Sequence, residues 1–341
     1  MTRIAVDATS VSPSGKGLSR VQSGTVQALA ALSHPGLVAY VGADVDLGVP
    51  SVRVRRRPAL LWEQVGLARA GRRADVVLTW TDRLPVSGGP FVVWLFEVPT
   101  RRIDQNRLAR AGWYQRGSDL LTGMLWRGSL RRAACVLAGS SATAAELQAA
   151  APEVREARVL YPGLDATFAP GTGRDGRYVL HIASSDPRDN TPAVVAAVGR
   201  ANTRLREPVQ LLVAGADGAD GERVEFLGRV SDEDLVELYR GAAAYLDASL
   251  FEGFGYQPLE AMACGTPVIA ANGPSALEVV GDAGILCDPR DVEARAAALV
   301  RVLEEPGLGQ ELRRRGLERA ETFSWERTAR QLLEVIDEVV D

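Results

Sequence analysis

The stretch Ser249–Ala270, SLFEGFGYQPLEAMACGTPVIA, places Glu252 and Glu260 on either side of a glycine-aromatic-glycine turn. The apolar run AAYLDAS (243–249) leads into it and TPVIAAN (266–272) follows it, so the order reads strand, glycine turn, helix, strand. Pro258 suits the first position of the intervening helix, because proline lacks the N–H that a helix start leaves unused. Gly253, Phe254 and Gly255 then lie just before a helix N-terminus, where outward N–H groups and the helix dipole favour an anion. Glycine lets that backbone approach a phosphate closely. On this reading Glu260, in the first helical turn, faces ribose hydroxyls. Glu252, on the approach loop, lies beside a sugar attached to the phosphate. Two glutamates eight residues apart are common by chance. The ordered strand, turn, proline, helix and strand around them are not.

Working outward, apolar runs recur at 3–8, 37–43, 75–80, 91–98 and 135–140, and again at 178–183, 209–215 and 224–228. Helical spacing fills several of the gaps, as in 21–32. The pattern is βαβ, which predicts parallel sheets covered by helices on both faces. The Pro- and Gly-rich segment YPGLDATFAPGTG (161–173) reads as a linker. This gives a first domain over 1–168, a second over 169–323 and a tail helix over 324–341 capped by Ser324. Ligands of doubly wound sheets bind at the carboxyl ends of the strands, so the expected site is a cleft between the two domains.

The chain has 341 residues, 46% of them hydrophobic and 24% charged, an ordinary globular composition. No apolar run approaches the roughly 20 residues a membrane span needs, and the start MTRIAVDATS lacks a signal-peptide core. Cys135, Cys264 and Cys287 stand far apart in apolar contexts, which suits buried thiols in a reducing cytoplasm. Charge is uneven: residues 1–168 hold 21 Arg and Lys against 13 Asp and Glu, and residues 169–341 hold 18 against 30. The basic half carries RVRRRP (53–58), ARAGRR (68–73) and TRRID (100–104). These are either solvated arginines or a docking face for an anionic acceptor or membrane surface. Sparse aromatic interleaving argues against nucleic acid.

Other chemistries find little support. His34 sits in a turn context and His181 on an apolar strand, and no G-x-S-x-G is present. DVD (44–46) sits by an early loop and makes a poor metal pair, and no cluster has metal-ligand spacing. SDED (231–234) reads as a Ser231 cap with acids in the first helical turn. GKGLSR lacks the third glycine of a dinucleotide fingerprint.

The opening stretch resembles the Glu-x7-Glu signature of family 4 retaining glycosyltransferases, which have the GT-B fold. VEFLGRVSDEDLVELYRGAAAYLDAS (224–249), RRAACVLAGSSATAAEL (131–147), ARVLYPGLDATFAP (157–170), EVVGDAGILCDPRD (278–291) and RRRGLERAETFSWE (313–326) extend the resemblance over most of the chain. It implies two Rossmann-like α/β domains facing a cleft, the first on the acceptor side and the second binding a UDP- or GDP-sugar. It implies retaining transfer without a metal or other cofactor. Glu252 and Arg188 would act in catalysis. Gly253, Phe254, Gly255 and Leu259 would face the donor, Glu260 would hold the ribose, and the backbone at Arg229 and Val230 the base. Gly15 and Gly17 would approach the donor from the first domain, and the last helix would cross back to that domain.

Two positions depart from the family pattern. SSDPRDN has Asp189 where the family often has lysine, leaving Arg188 to face the diphosphate. Phe96 and Glu97 stand where the family commonly reads His-Asp, so the histidine that usually touches the donor sugar is absent, and Glu97 is expected on the acceptor side. The expected acceptor is a glycan or a natural product, and the site's unusual residues suit an oligosaccharide antibiotic pathway of the avilamycin type. A nucleotide-sugar epimerase on the same fold, or a non-catalytic nucleotide-sugar-binding protein, are the alternatives.

Overall fold

A computed structural model describes residues 2–12, 15, 17–32, 34–55, 59–100, 113–174, 177–184 and 186–341, with backbone alone for 113–116 and 118. Lys16, Arg56, Arg57 and most of TRRID lie outside the described residues. The chain forms two compact units, Met1–Gly163 with Phe323–Asp341, and Leu164–Thr322.

The first unit is built on a seven-stranded sheet. Its strands are β1 (Ile4–Ala8), β2 (Leu37–Val41), β3 (Ser51–Arg53), β4 (Val76–Thr79), β5 (Phe91–Leu95), β6 (Cys135–Ala138) and β7 (Arg158–Val159). They lie in the order β3-β2-β1-β4-β5-β6-β7, with parallel pairing throughout. Every residue of β1, β4 and β5 is buried, as the inner strands of a parallel sheet covered on both faces must be. Helix α1 (Leu18–Ala31) packs against the last helix of the chain, Trp325–Val340. Gly24 and Gly163 leave room for the Trp325 indole where a Cβ would collide with it. Ser324 caps that helix by accepting from the Arg327 N–H.

The second unit has a six-stranded parallel sheet in the order β10-β9-β8-β11-β12-β13. These strands are β8 (Tyr178–Ile182), β9 (Gln210–Ala214), β10 (Val224–Gly228), β11 (Ala244–Leu246), β12 (Val268–Ala271) and β13 (Ile285–Cys287). The core under the sheet is aliphatic, with Val194, Val198, Leu211, Leu246, Ile269 and Leu299 at its centre.

The strand order reverses between β1 and β4 in the first sheet and between β8 and β11 in the second. At such a switch point the crossover helices leave to opposite faces, and a crevice opens at the carboxyl ends of the two strands. Gly15 and Gly17 lie in the loop after β1. Arg188 and Glu252 lie in the loops after β8 and β11.

Candidate functional site

The loop after β8 and the loop after β11 are laced together. Asn190, in the left-handed conformation at φ 52°, donates its side-chain amide to the Ala248 carbonyl at 3.2 Å and the Pro289 carbonyl at 3.0 Å. The Leu250 N–H donates to the Arg188 carbonyl at 2.8 Å. Buried Asp247 closes the exit from β11, its Oδ1 accepting the Ser249 hydroxyl at 2.5 Å and N–H at 3.2 Å. These bonds bring Arg188 to Glu252 across a long stretch of sequence.

Gly255 caps the next helix, Tyr256–Ala263, with φ 103° and ψ 51°. Side-chain-bearing residues rarely adopt that conformation, which explains the second glycine of the turn. The helix begins two residues before the expected start at Pro258. A proline is tolerated throughout the first turn, since none of those N–H groups has an intrahelical partner. Glu260 therefore belongs to the second turn and not the first. It is 3% exposed, and its Oε2 accepts the Tyr239 hydroxyl at 3.1 Å. Burial holds the Tyr239 phenol far above its usual pKa, with the Glu260 charge adding to the effect, so it stays a donor.

Leu259 is buried in the core and commits its N–H to the Gly255 carbonyl; it anchors the helix. Phe254 is buried, edge-on to Tyr256 at 5.0 Å. The Glu252 carbonyl accepts the Ser275 hydroxyl at 2.7 Å, which fixes the turn from the far side.

Glu252 is half-buried as a residue, but its carboxyl lies deep. Burial, then the nearby charges of Asp247 and Asp189, push its pKa up to about 8, against the opposing pull of Arg188 and the Gly255 N–H. Arg188 does not stand as a lone cation. Its Nε and Nη2 donate to Asp186 Oδ2 at 2.8 and 2.6 Å, and that bonding lowers the Asp186 pKa. Asp189 serves the structure of its own loop. Its Oδ2 accepts the Ser184 N–H at 2.5 Å and hydroxyl at 2.7 Å, which closes the loop after β8.

Asp247, Asn190 and Tyr239 were not singled out from the sequence. Asp247 had a readable signal, an acid ending an apolar strand next to the glycine turn. Asn190 and Tyr239 had none, because their roles depend on loops brought together by the sheet.

Arg229 is exposed and Val230 half-buried, directly after β10, whose last residue Gly228 turns at φ 61°. The Gly228 carbonyl accepts the Gly215 N–H at 2.7 Å, so the loops after β9 and β10 run side by side at the same end of the sheet. In the first unit, the Gly15 N–H donates to the Ser12 carbonyl at 3.0 Å, and a Cβ there would strike Ser19 Oγ. Gly17 caps α1 at φ 56°. Glu97 follows β5, half-buried, next to Phe96, whose ring packs on Trp94 at 5.2 Å.

Residues 167–322 match the family model described as "Glycosyl transferases group 1". The O-antigen chain mannosyltransferase B of Escherichia coli is 37% identical over 171 residues, which cover 46% of this chain and 44% of that protein. The similarity thus spans under half the length of this curated relative. Among solved structures, the sucrose-phosphate synthase of Thermosynechococcus elongatus superposes with a TM-score of 0.78 at 20% identity, covering 99% of both chains. Alr3699/HepE of Anabaena, solved in complex with UDP-glucose, superposes at 0.73 and 18% identity, covering 99% of this chain and 100% of that one. The chain is therefore a two-unit α/β protein of GT-B fold whose second unit, over residues 167–322, matches the glycosyl transferases group 1.

Proposed function

We propose that this protein transfers a sugar, with retention and without a metal, from a UDP- or GDP-sugar to a hydroxyl of a glycan or natural product. The observation that carries the reading is the cradle at Gly253–Gly255, set at a helix start at the switch point of the second sheet and flanked by Glu252 and Glu260. Its place inside the family match supports it, as do the mannosyltransferase relative and the UDP-glucose complex of a protein of the same fold.

In this reading the diphosphate sits on the N–H groups of the first turn of helix Tyr256–Ala263, with Arg188 beside it. Glu260 holds the ribose, and the backbone at Arg229 and Val230 lines the base. The bond from anomeric carbon to diphosphate oxygen breaks while the acceptor oxygen bonds to that carbon on the same face. The acceptor proton passes to the departing diphosphate. Preorganised dipoles at the phosphate are the main catalytic contribution, because charge develops there and the protein need not reorganise to meet it. Glu252 lies by the sugar, where positive charge grows. Cationic support comes from the helix start and Arg188. Among the described residues no group of three His, Cys, Asp or Glu converges to hold a metal. The first unit, with Glu97, carries the acceptor, and an antibiotic oligosaccharide is one acceptor of the right kind. The three buried free thiols suit a reducing cytoplasm.

The test is a panel of UDP- and GDP-sugars offered with glycan and natural-product acceptors in chelator. Product is followed by mass and its anomeric configuration by NMR. One donor should give a product that keeps the donor's configuration. An inverted product would overturn the retaining mechanism, and an epimerised donor without transfer would overturn the function.

A further inference from the structure

The arginine segments of the first unit converge. Edge strand β3 carries Arg53 and leads to Arg55, while helix α2, over 59–71, carries Arg69 and precedes Arg73. Between strand and helix lies a groove of about 490 Å3, with Val52, Leu61 and Val65 along it and Arg55, Arg69 and Arg73 at its rim.

Helix α2 sorts its residues by charge. Its middle, Trp62–Gly66, is wound as a π-helix. Trp62 turns inward, meeting Tyr40 at a ring distance of 5.7 Å and donating its indole N–H to Asp7 at 3.2 Å. Glu63, the helix's one acid, also turns inward and pairs with Arg83 at 2.7 Å. What remains outside is Leu60, Leu61, Val65 and Arg69, with Leu61 58% exposed. Leu61, Val65 and Arg69 on the helix and Arg73 just past its end line the same groove, which makes one face. Arg3, Arg83 and Arg158 of this unit have carboxylate partners. Arg53, Arg55, Arg69 and Arg73 have none among the described residues.

We infer that this face docks the protein on an anionic lipid surface, with the arginines on lipid phosphates and Leu61 and Val65 in the acyl boundary. Guanidinium groups form paired hydrogen bonds to phosphate oxygens. A basic face with aliphatic residues at its centre suits the bilayer interface. Charge complementarity alone would also fit nucleic acid, but the aromatic rings that could stack bases, Tyr40 and Trp62, are buried.

The test is sedimentation of the full chain with phosphatidylcholine vesicles, with and without phosphatidylglycerol, across a salt series. The wild type should bind only vesicles that contain phosphatidylglycerol, and less as salt rises. Each arginine near an anionic leaflet contributes roughly fivefold, so Arg55→Gln/Arg69→Gln/Arg73→Gln should lose about 100-fold. The matching triple lysine variant should retain binding within about tenfold of wild type, since Lys and Arg near the surface contribute alike. Leu61→Gln/Val65→Gln should bind more weakly and release at lower salt. These positions are exposed, and melting curves should match the wild type. No wild-type binding to anionic vesicles, equal binding to neutral ones, or an unaffected glutamine variant would overturn the inference. So would displacement by soluble glycerol phosphate mole for mole with lipid, or tighter binding to duplex DNA than to vesicles.

Discussion

Burial and the neighbouring carboxylates of Asp247 and Asp189 hold the proton on Glu252 up to about pH 8. Between the usual 4.5 and about 8, the folded protein keeps a proton that the unfolded chain releases, so this group's contribution to stability falls as pH rises across that window. Denaturant titrations from pH 5 to pH 9 should show that decline, and Glu252→Gln, which cannot ionise, should flatten it; a decline of the same size in the variant would place its origin elsewhere. At neutral pH, glutamine also mimics the protonated state of the empty site. Glu252→Gln should therefore bind UDP or GDP nearly as wild type while its kcat falls, because glutamine cannot give up a proton when the sugar becomes positive.

Asp189 is where sequence and structure part. As the residue in place of a family lysine, it invites Asp189→Lys as a way to tighten diphosphate binding. The two bonds it accepts from Ser184 reverse that expectation. A charged hydrogen bond is worth about 1.5–3 kcal/mol, and a half-exposed added cation about 1 kcal/mol at most. Asp189→Lys should loosen the loop and weaken nucleotide binding, as calorimetry and a lowered melting temperature would show. Tighter binding at unchanged stability would contradict this.

Among elements, the buried inner strands were readable because parallel strands covered on both faces are continuous apolar runs. The runs at 3–8, 178–183 and 224–228 coincide with β1, β8 and β10 to within a residue at either end. The strands β3, β7 and β13 were not readable. They have two or three residues, and every residue of β3 and β7 is exposed at the sheet edge, so no periodicity could form. The start of helix Tyr256–Ala263 was misplaced because Pro258 marks a first turn and not a first residue. Gly255 carries the strongest local constraint. Gly255→Ala would force a Cβ into a left-handed conformation at a cost of roughly 1–2 kcal/mol. Distortion of the cradle should then weaken UDP or GDP binding well beyond the loss in stability. By contrast Ser324→Ala removes one cap, worth about 1 kcal/mol, and should lower the melting temperature while nucleotide affinity stays put. Equal effects of the two changes on nucleotide affinity would contradict the assignment of the Gly255 turn.

For the molecule as a whole, composition showed the charge asymmetry but not its meaning. Arg55, Arg69 and Arg73, which have no carboxylate partner among the described residues, line one groove, while others such as Arg200 and Arg314 are held in ion pairs with Glu293 and Glu311. Only the folded chain separates the two kinds. The central claim, that the second unit holds a nucleotide diphosphate with Glu260 on its ribose and no metal, is tested most directly by calorimetry. UDP and GDP would be titrated in chelator into wild type and Glu260→Ala. One nucleotide should bind wild type without metal, and the variant should lose roughly 10- to 150-fold in affinity, the worth of one charged hydrogen bond. Binding that appears only on adding a divalent cation, or a Glu260→Ala variant that binds as tightly as wild type, would contradict it.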